Sequence, residues 1–354
     1  MSTGRLAQGV ARDAPSFQHQ GLGMDRLVIA ALLGLTLPLS AAADTLIVAN
    51  KYESTLSFID RASGDEVARP ETGPSPHEVA LSPDESTVVV VSYMEDGYIG
   101  RTLSVFDVAS ASLMQTIEIE PHYAPHGIAW LGDSNSVIVT TEETRDVIRV
   151  NIDTGEVTGV AVTDQIGSHL LALSPTSNRA YVTSRGSDTV SVIDTVEMEV
   201  LQTVSAGTGP EAVFVSPDGS EVWVGNNQSE NVMIFDAETM EVTKTLEMGF
   251  TPIRVRFDPK GHHVAIADLH GSRVLILKAE DHSTLAVVDL NDYDIERPPS
   301  LLFSPDGSYL YVGSELSEKV VEIVAGDWRV TRLLDAGKGA DGMEISSVRV
   351  QTQN

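Results

Sequence analysis

Residues 174–207 read SPTSN, RAYVTS, RGSD, TVSVID, TVEME, VLQTVSAG: a turn, an alternating strand, a polar turn, a second alternating strand, another turn and a further strand. Together with the apolar strand that precedes the turn, this makes four short strands of period two. Gly, Asp, Asn and Ser turns separate them, so they pair as one small antiparallel sheet. The same turn recurs at Ser82, Leu131, Ser174, Ser216, Asp258 and Ser304, at spacings of 49, 43, 42, 42 and 46 residues. A four-stranded repeat of about 40–45 residues is the signature of a propeller blade, which must stack on its neighbours to bury both faces. Helical periodicity is absent beyond the amino-terminal segment.

Six complete units start at Pro76, Pro125, Ser168, Pro210, Pro252 and Pro299. The carboxy-terminal end supplies only one inner-strand pattern, Asp341 to Ser346, while Asp44 to Asp60 supplies a second and third strand and Glu66 to Pro70 a fourth. The prediction is therefore an all-β fold: a seven-bladed β-propeller of four-stranded antiparallel blades, with the ring closed by N- and C-terminal strands in one shared blade. Such closure satisfies edges that would otherwise stay open.

From Met24 the sequence has a charged Arg26, an apolar run from Leu27 to Leu39, and Ala41-Ala42-Ala43 before Asp44. The run is too short to span a membrane, and the small residues suit signal peptidase, so a cleaved signal with cleavage after Ala43 is expected. Met24 is a candidate true start. Residues 1–43 are read as an N-terminal extension plus signal peptide, and 44–354 as the single propeller domain. The expected location is periplasmic or secreted, with no membrane span after cleavage.

The 354-residue chain carries 23 Lys and Arg against 51 Asp and Glu, a formal charge of −28, and no Cys. Residues 1–43 hold three of the basic and two of the acidic groups, so the remaining domain has 20 against 49 and stays near −29. Such a surface repels phosphate backbones and anionic lipid, which excludes nucleic acid as a partner. Without Cys there is no thiolate-ligated iron–sulfur cluster, no c-type haem attachment and no thiolate nucleophile. No Gly-rich phosphate loop, G-x-S-x-G elbow or H-E-x-x-H helix is present either.

The repeats resemble the YVTN family of bacterial β-propellers, within the lactonase- and lyase-like propeller superfamily. The motif stands here as Tyr181-Val182-Thr183-Ser184 and, more loosely, as Trp223-Val224-Gly225-Asn226, Tyr311-Val312-Gly313-Ser314 and Ile47-Val48-Ala49-Asn50; T-V-S-V-I-D follows at Thr189 to Asp194. The resemblance covers nearly all of the chain after residue 43. Its implications for function are broad, since propellers of this kind look like relatives of lactonases, streptogramin lyases, haem d1 proteins, amine-dehydrogenase heavy chains and binding proteins. The site has to be argued from residues.

Counting five residues back from each aligned turn reaches the start of the inner strand. Round the ring that position holds His77, His126, His169, Glu211, Ile253, Pro299 and Asp341. Three imidazoles flanked by carboxylates in consecutive blades suit a divalent transition metal such as Zn, Cu, Fe or Ni, with His77, His126 and His169 as ligands and Glu211 or Asp341 as a fourth ligand or orienter. Alternatively a neutral His126 or His169 serves as a general base. Loops joining second to third strands add Arg185, a cation for a substrate carboxylate, and His270, a further proton carrier. The bland alternative is that P-H-x-V is a structural turn whose imidazole bonds a neighbouring carbonyl.

Two further loops exceed the repeat on this face, Tyr93 to Arg101 and Asn291 to Pro299. His122, four residues before His126, has metal-like spacing, but Pro121 and Pro125 argue against the helix that would align the pair. The leading expectation is a monomer that binds a metal or small molecule at the channel mouth, either as a binding protein or with lactonase- or lyase-like catalysis on the small molecule. The others are a non-catalytic scaffold for an envelope protein partner and a haem-handling propeller.

Overall fold

The computed structural model describes residues 44–95, 97–132 and 135–351; the expected signal segment lies outside them. It contains seven four-stranded antiparallel sheets, and among the described residues the only helical element is a single 3-10 turn, Asn291–Tyr293. None of the helices among the described residues is long and apolar enough to cross a membrane.

Period-two alternation builds the ring. In the strand Arg179–Ser184, Tyr181 packs into the cluster shared with the following blade, whereas Ala180 and Val182 pack into the cluster shared with the preceding one. Trp223 and Tyr311, both fully buried, do the same in their own blades, with valines or leucine on the opposite face. Large side chains on one face and small ones on the other let tapered blades interdigitate. Seven such clusters result, one in each gap between successive blades.

The shared blade orders Glu66–Ala68, Thr55–Asp60, Thr45–Asn50 and Ala340–Ser346. Thr45 pairs with Ser346, and the Ser346 hydroxyl donates to the Glu85 carbonyl at 2.7 Å, tying the closing strand to the next blade. One strand start differs from the sequence expectation: the sixth inner strand begins at Leu301, not Pro299. Pro298 and Pro299 have no N–H to donate to a ladder.

The inner strands surround the axis closely. A Cβ on Gly342 would lie 2.3 Å from the His77 carbonyl oxygen, and one on Gly127 would lie 2.8 Å from that of His169. Only glycine lets these neighbouring strands meet where the channel mouth forms.

Candidate functional site at the channel mouth

Each inner strand reaches the axis through a tight backbone reversal. Two residues before the axial position the backbone is left-handed in six of seven blades, at Ser75, Ala124, Gly167, Gly209, Arg297 and Gly339. Where the residue is not glycine this conformation costs about 1 kcal/mol. Register irregularities follow immediately, for example between Pro76 and Val79, Pro125 and Ile128, and Ser168 and Leu171. A bulge of this kind re-aims side chains, and here it turns the residue after the strand's first position onto the axis.

All seven axial positions line one cavity of about 240 Å³. His77, His126 and His169 stack in order: the His126 ring centroid lies 3.6 Å from that of His169, at 32°, and 4.4 Å from that of His77. Tyr93 stands edge-on to His126 at 4.6 Å and 90°. His126 and His169 are each 2% exposed.

Carboxylates from adjoining blades fix the imidazoles unequally. His169 Nδ1 lies 2.9 Å from Glu142 and its Nε2 3.0 Å from Glu211. A ring with an acceptor on each nitrogen is satisfied only as the imidazolium. Burial opposes that charge, but Glu211 and Glu142 outweigh it and raise the His169 pKa. Glu211 in turn is held down at about 2, where burial alone would raise it, by His169 and by Arg185, whose Nε is 3.1 Å away. Tyr93 donates its hydroxyl to Glu142 at 2.6 Å.

His126 is the reverse case. Burial first, then the charges of His169, His77, Arg254 and Arg185, hold its pKa well below the ordinary histidine value. Its Nδ1 is buried without a hydrogen-bond partner. The outcome is a pair of stacked imidazoles, one with an orphan nitrogen, whose pKa values are pushed in opposite directions by their surroundings.

On the other side of the stack, His77 Nδ1 approaches Asp341 Oδ2 to 2.6 Å, out of line for a hydrogen bond. Asp341 is lowered to about 2; burial works against this, and His77 and Arg254 bring it about. Arg254 is 4% exposed, donates to Glu78 at 2.7 Å and to the Pro299 carbonyl at 3.0 Å, and lies 3.6 Å from Asp341 Oδ1.

The cavity does not share the charge of the molecule. Its lining carries four cations, Lys51, Arg185, Arg254 and Arg297, against three carboxylates, Glu211, Glu315 and Asp341, where the chain as a whole has 23 against 51. Glu142 and Glu78 stand directly behind this lining, paired with His169 and Arg254, so the mouth is close to balanced in charge on a strongly acidic chain.

Six of the predicted site residues, His77, His126, His169, Arg185, Glu211 and Asp341, thus meet in one place. His270 does not. Asp268 accepts hydrogen bonds from the backbone of His270 and Gly271, His270 is left exposed on the turn, and Leu269 lines the cavity instead. His122 is occupied elsewhere, 2.9 Å from Asp146. Tyr93, Glu78 and Arg254 were not singled out by the repeat count. The signal for Arg254 was available, as an Arg inside the otherwise apolar inner strand Pro252–Phe257.

As a metal centre the arrangement fits only in part. Carboxylates behind the Nδ1 atoms of His77 and His169 resemble the groups that orient metal-ligating imidazoles. However, both nitrogens of His169 are engaged, and the rings lie in tilted stacks on one another, at 32° and 48°, with centroids 3.6 and 4.4 Å apart. Among the described residues no three His, Asp or Glu side chains converge as a metal shell.

Fold and site together define a seven-bladed propeller with a polar cavity at one channel mouth. The family model described as lactonase, 7-bladed beta-propeller matches residues 49–248, and the chain belongs to that family. Among solved structures, it is similar to hydrazine synthase of Kuenenia stuttgartiensis at 20% identity and a TM-score of 0.70, over 80% of this chain and 92% of that one. It is also similar to a functionally unknown protein from Desulfotomaculum acetoxidans, at 14% identity and a TM-score of 0.71, over 87% and 99% of the two chains. At these identities the likeness is one of fold. A comparison with curated proteins found no match.

Proposed function

We propose that this protein is an exported, monomeric lactone hydrolase acting on small anionic cyclic esters at the His-lined mouth. The observation that carries the reading is the neutral, orphaned His126 stacked on a cationic His169 inside a cavity close to balanced in charge. In this scheme His126 takes a proton from water, the water oxygen adds to the acyl carbon, and the ring C–O bond breaks. The proton then passes from His126 to the departing alkoxide, leaving a hydroxy acid. Arg185, with 44% of its side chain exposed at the mouth, receives the substrate's anionic group, and the His169 imidazolium offsets negative charge as it develops. Export and a periplasmic or secreted location rest on the Met24 to Ala43 sequence.

The test is hydrolysis of a panel of carboxylated lactones, followed by proton release, beside uncharged lactones of the same ring size. Turnover of the carboxylated compounds, with kcat/KM at least about tenfold above the neutral ones, is expected. Absence of turnover across the panel contradicts the reading.

A second reading, a divalent transition metal held by His77, His126 and His169 with Glu211 or Asp341, is favoured by the carboxylates behind two of the imidazoles. Stoichiometric metal in untagged protein, lost in His126→Ala with His169→Ala, would support it over a metal-free base. A Soret band on haem addition would favour haem handling. Capture of an envelope protein without turnover would favour a scaffold.

A further inference from the structure

The opposite end of the axial channel opens into a separate cavity of about 650 Å³, within the range of small-molecule pockets. Its walls include Trp130, Phe214, Phe257, Leu302, Phe303 and Met343, and its polar groups are Glu78, Arg254, Arg256, Asp258, Ser300 and Glu344; Asp258 is occupied by the backbone N–H groups of His262 and His263, which donate to it at 2.7 and 3.2 Å. Arg254 lines both cavities and forms part of the partition between them.

The cations at this end are short of counterions. Arg256 lies over the Phe214 ring, 4.9 Å from its centroid, and donates to the Val255 carbonyl at 3.3 Å. Among the described residues no carboxylate comes within ion-pair distance of it, while every other ion pair of the cluster runs through Arg254. Arg254 Nη1 is buried without a partner on a side chain that is 4% exposed. Burial and the neighbouring Arg254 lower the Arg256 pKa to about 10, and burial, against the pull of Arg256, raises that of Glu344 to about 7. Glu344 is therefore an incomplete counter-charge near neutrality.

We propose that this cavity is a second binding site, for an amphipathic carboxylate whose apolar body fills the aromatic walls and whose head group is received by Arg256 and Arg254. The two arginines stand two residues apart on Pro252–Phe257, so strand periodicity sends both to the axis. A planar guanidinium with free donors matches a carboxylate in fork geometry, and a desolvated one gains most from it. A cationic ligand would meet two guanidinium groups, and a purely apolar one would leave Arg254 Nη1 and Arg256 unsatisfied. The site lies away from the imidazole stack, so it stands whether or not the lactonase reading holds.

Titration with octanoate, with octanol as the uncharged control, tests it. Trp130 on the cavity wall reports binding, because Trp223 and Trp328 are buried at 0% and 7% exposure; Trp130→Phe should abolish the fluorescence change. Octanoate should bind saturably and at least about tenfold more tightly than octanol. Arg256→Met, which keeps the side chain's length, should weaken octanoate about 10- to 100-fold and leave octanol unchanged. Leu302→Trp, which takes up part of the cavity and leaves both arginines intact, should weaken both ligands. No saturable binding, octanol binding as tight as octanoate, or octanoate affinity indifferent to Arg256→Met in folded protein would each overturn the proposal. Octanoate affinity unchanged by Leu302→Trp would place the ligand elsewhere and overturn it too.

Discussion

Arg254→Met should lower the unfolding free energy by about 3–5 kcal/mol at neutral pH, the range for removing one partner of a buried ion cluster. Glu78 and Asp341, 8% and 4% exposed, would be left in the channel without the guanidinium that lies between them. The effect should depend on pH with a definite sign. The folded-state pKa of Asp341 is depressed to about 2, so its contribution is present above the ordinary aspartate value and is lost as pH falls through 2. In the variant Asp341 loses part of what depresses it and binds its proton sooner, so the deficit should be largest at pH 7 and narrow toward pH 4. Adding Glu78→Leu to Arg254→Met should recover part of the loss, because one uncompensated charge is gone. Urea unfolding at the two pH values measures this, and a loss below about 1 kcal/mol at pH 7 would show that the cluster is solvated.

The second large effect is on catalysis. With a carboxylated lactone that the wild type turns over, His126→Asn should reduce kcat/KM by about 10²- to 10⁴-fold, the usual contribution of a general base. KM should change little, since Arg185 and the other mouth cations remain. The wild-type profile should be broad. Its acid limb follows His126, protonated only well below the ordinary histidine range, and its basic limb follows His169, whose raised pKa delays loss of the imidazolium. A less than tenfold loss in a variant that melts like wild type would remove His126 from the chemistry.

The architecture was legible because its cues are local. Turn chemistry at Ser174, Ser216 and Ser304 recurs with the repeat, and counting back from it reached the seven axial positions among the residues that line the mouth. The paired termini followed from the missing strands. What the count did not supply depends on the third dimension. His270 occupies a loop on the correct face, but Asp268 caps that turn and Leu269 takes the inward place. Tyr93 lies in a loop whose extra length was visible, yet the depth to which its ring descends against His77 and His126 was not. Protonation states also escaped the sequence, because the carboxylate that charges His169 at Nδ1 comes from a loop of the preceding blade. Likewise Arg254 and Glu78 meet across 176 positions of chain, a pairing that only ring closure creates.

The central claim is that two stacked imidazoles hold opposite charge states. Imidazole nitrogen and carbon NMR shifts of histidine-labelled protein, recorded from pH 5 to 8, read this directly. His169 should lose its second proton above the ordinary histidine value, and His126 should stay neutral to well below it. If both rings titrate together near the ordinary histidine value, the environments do not separate them and the account of the mouth fails.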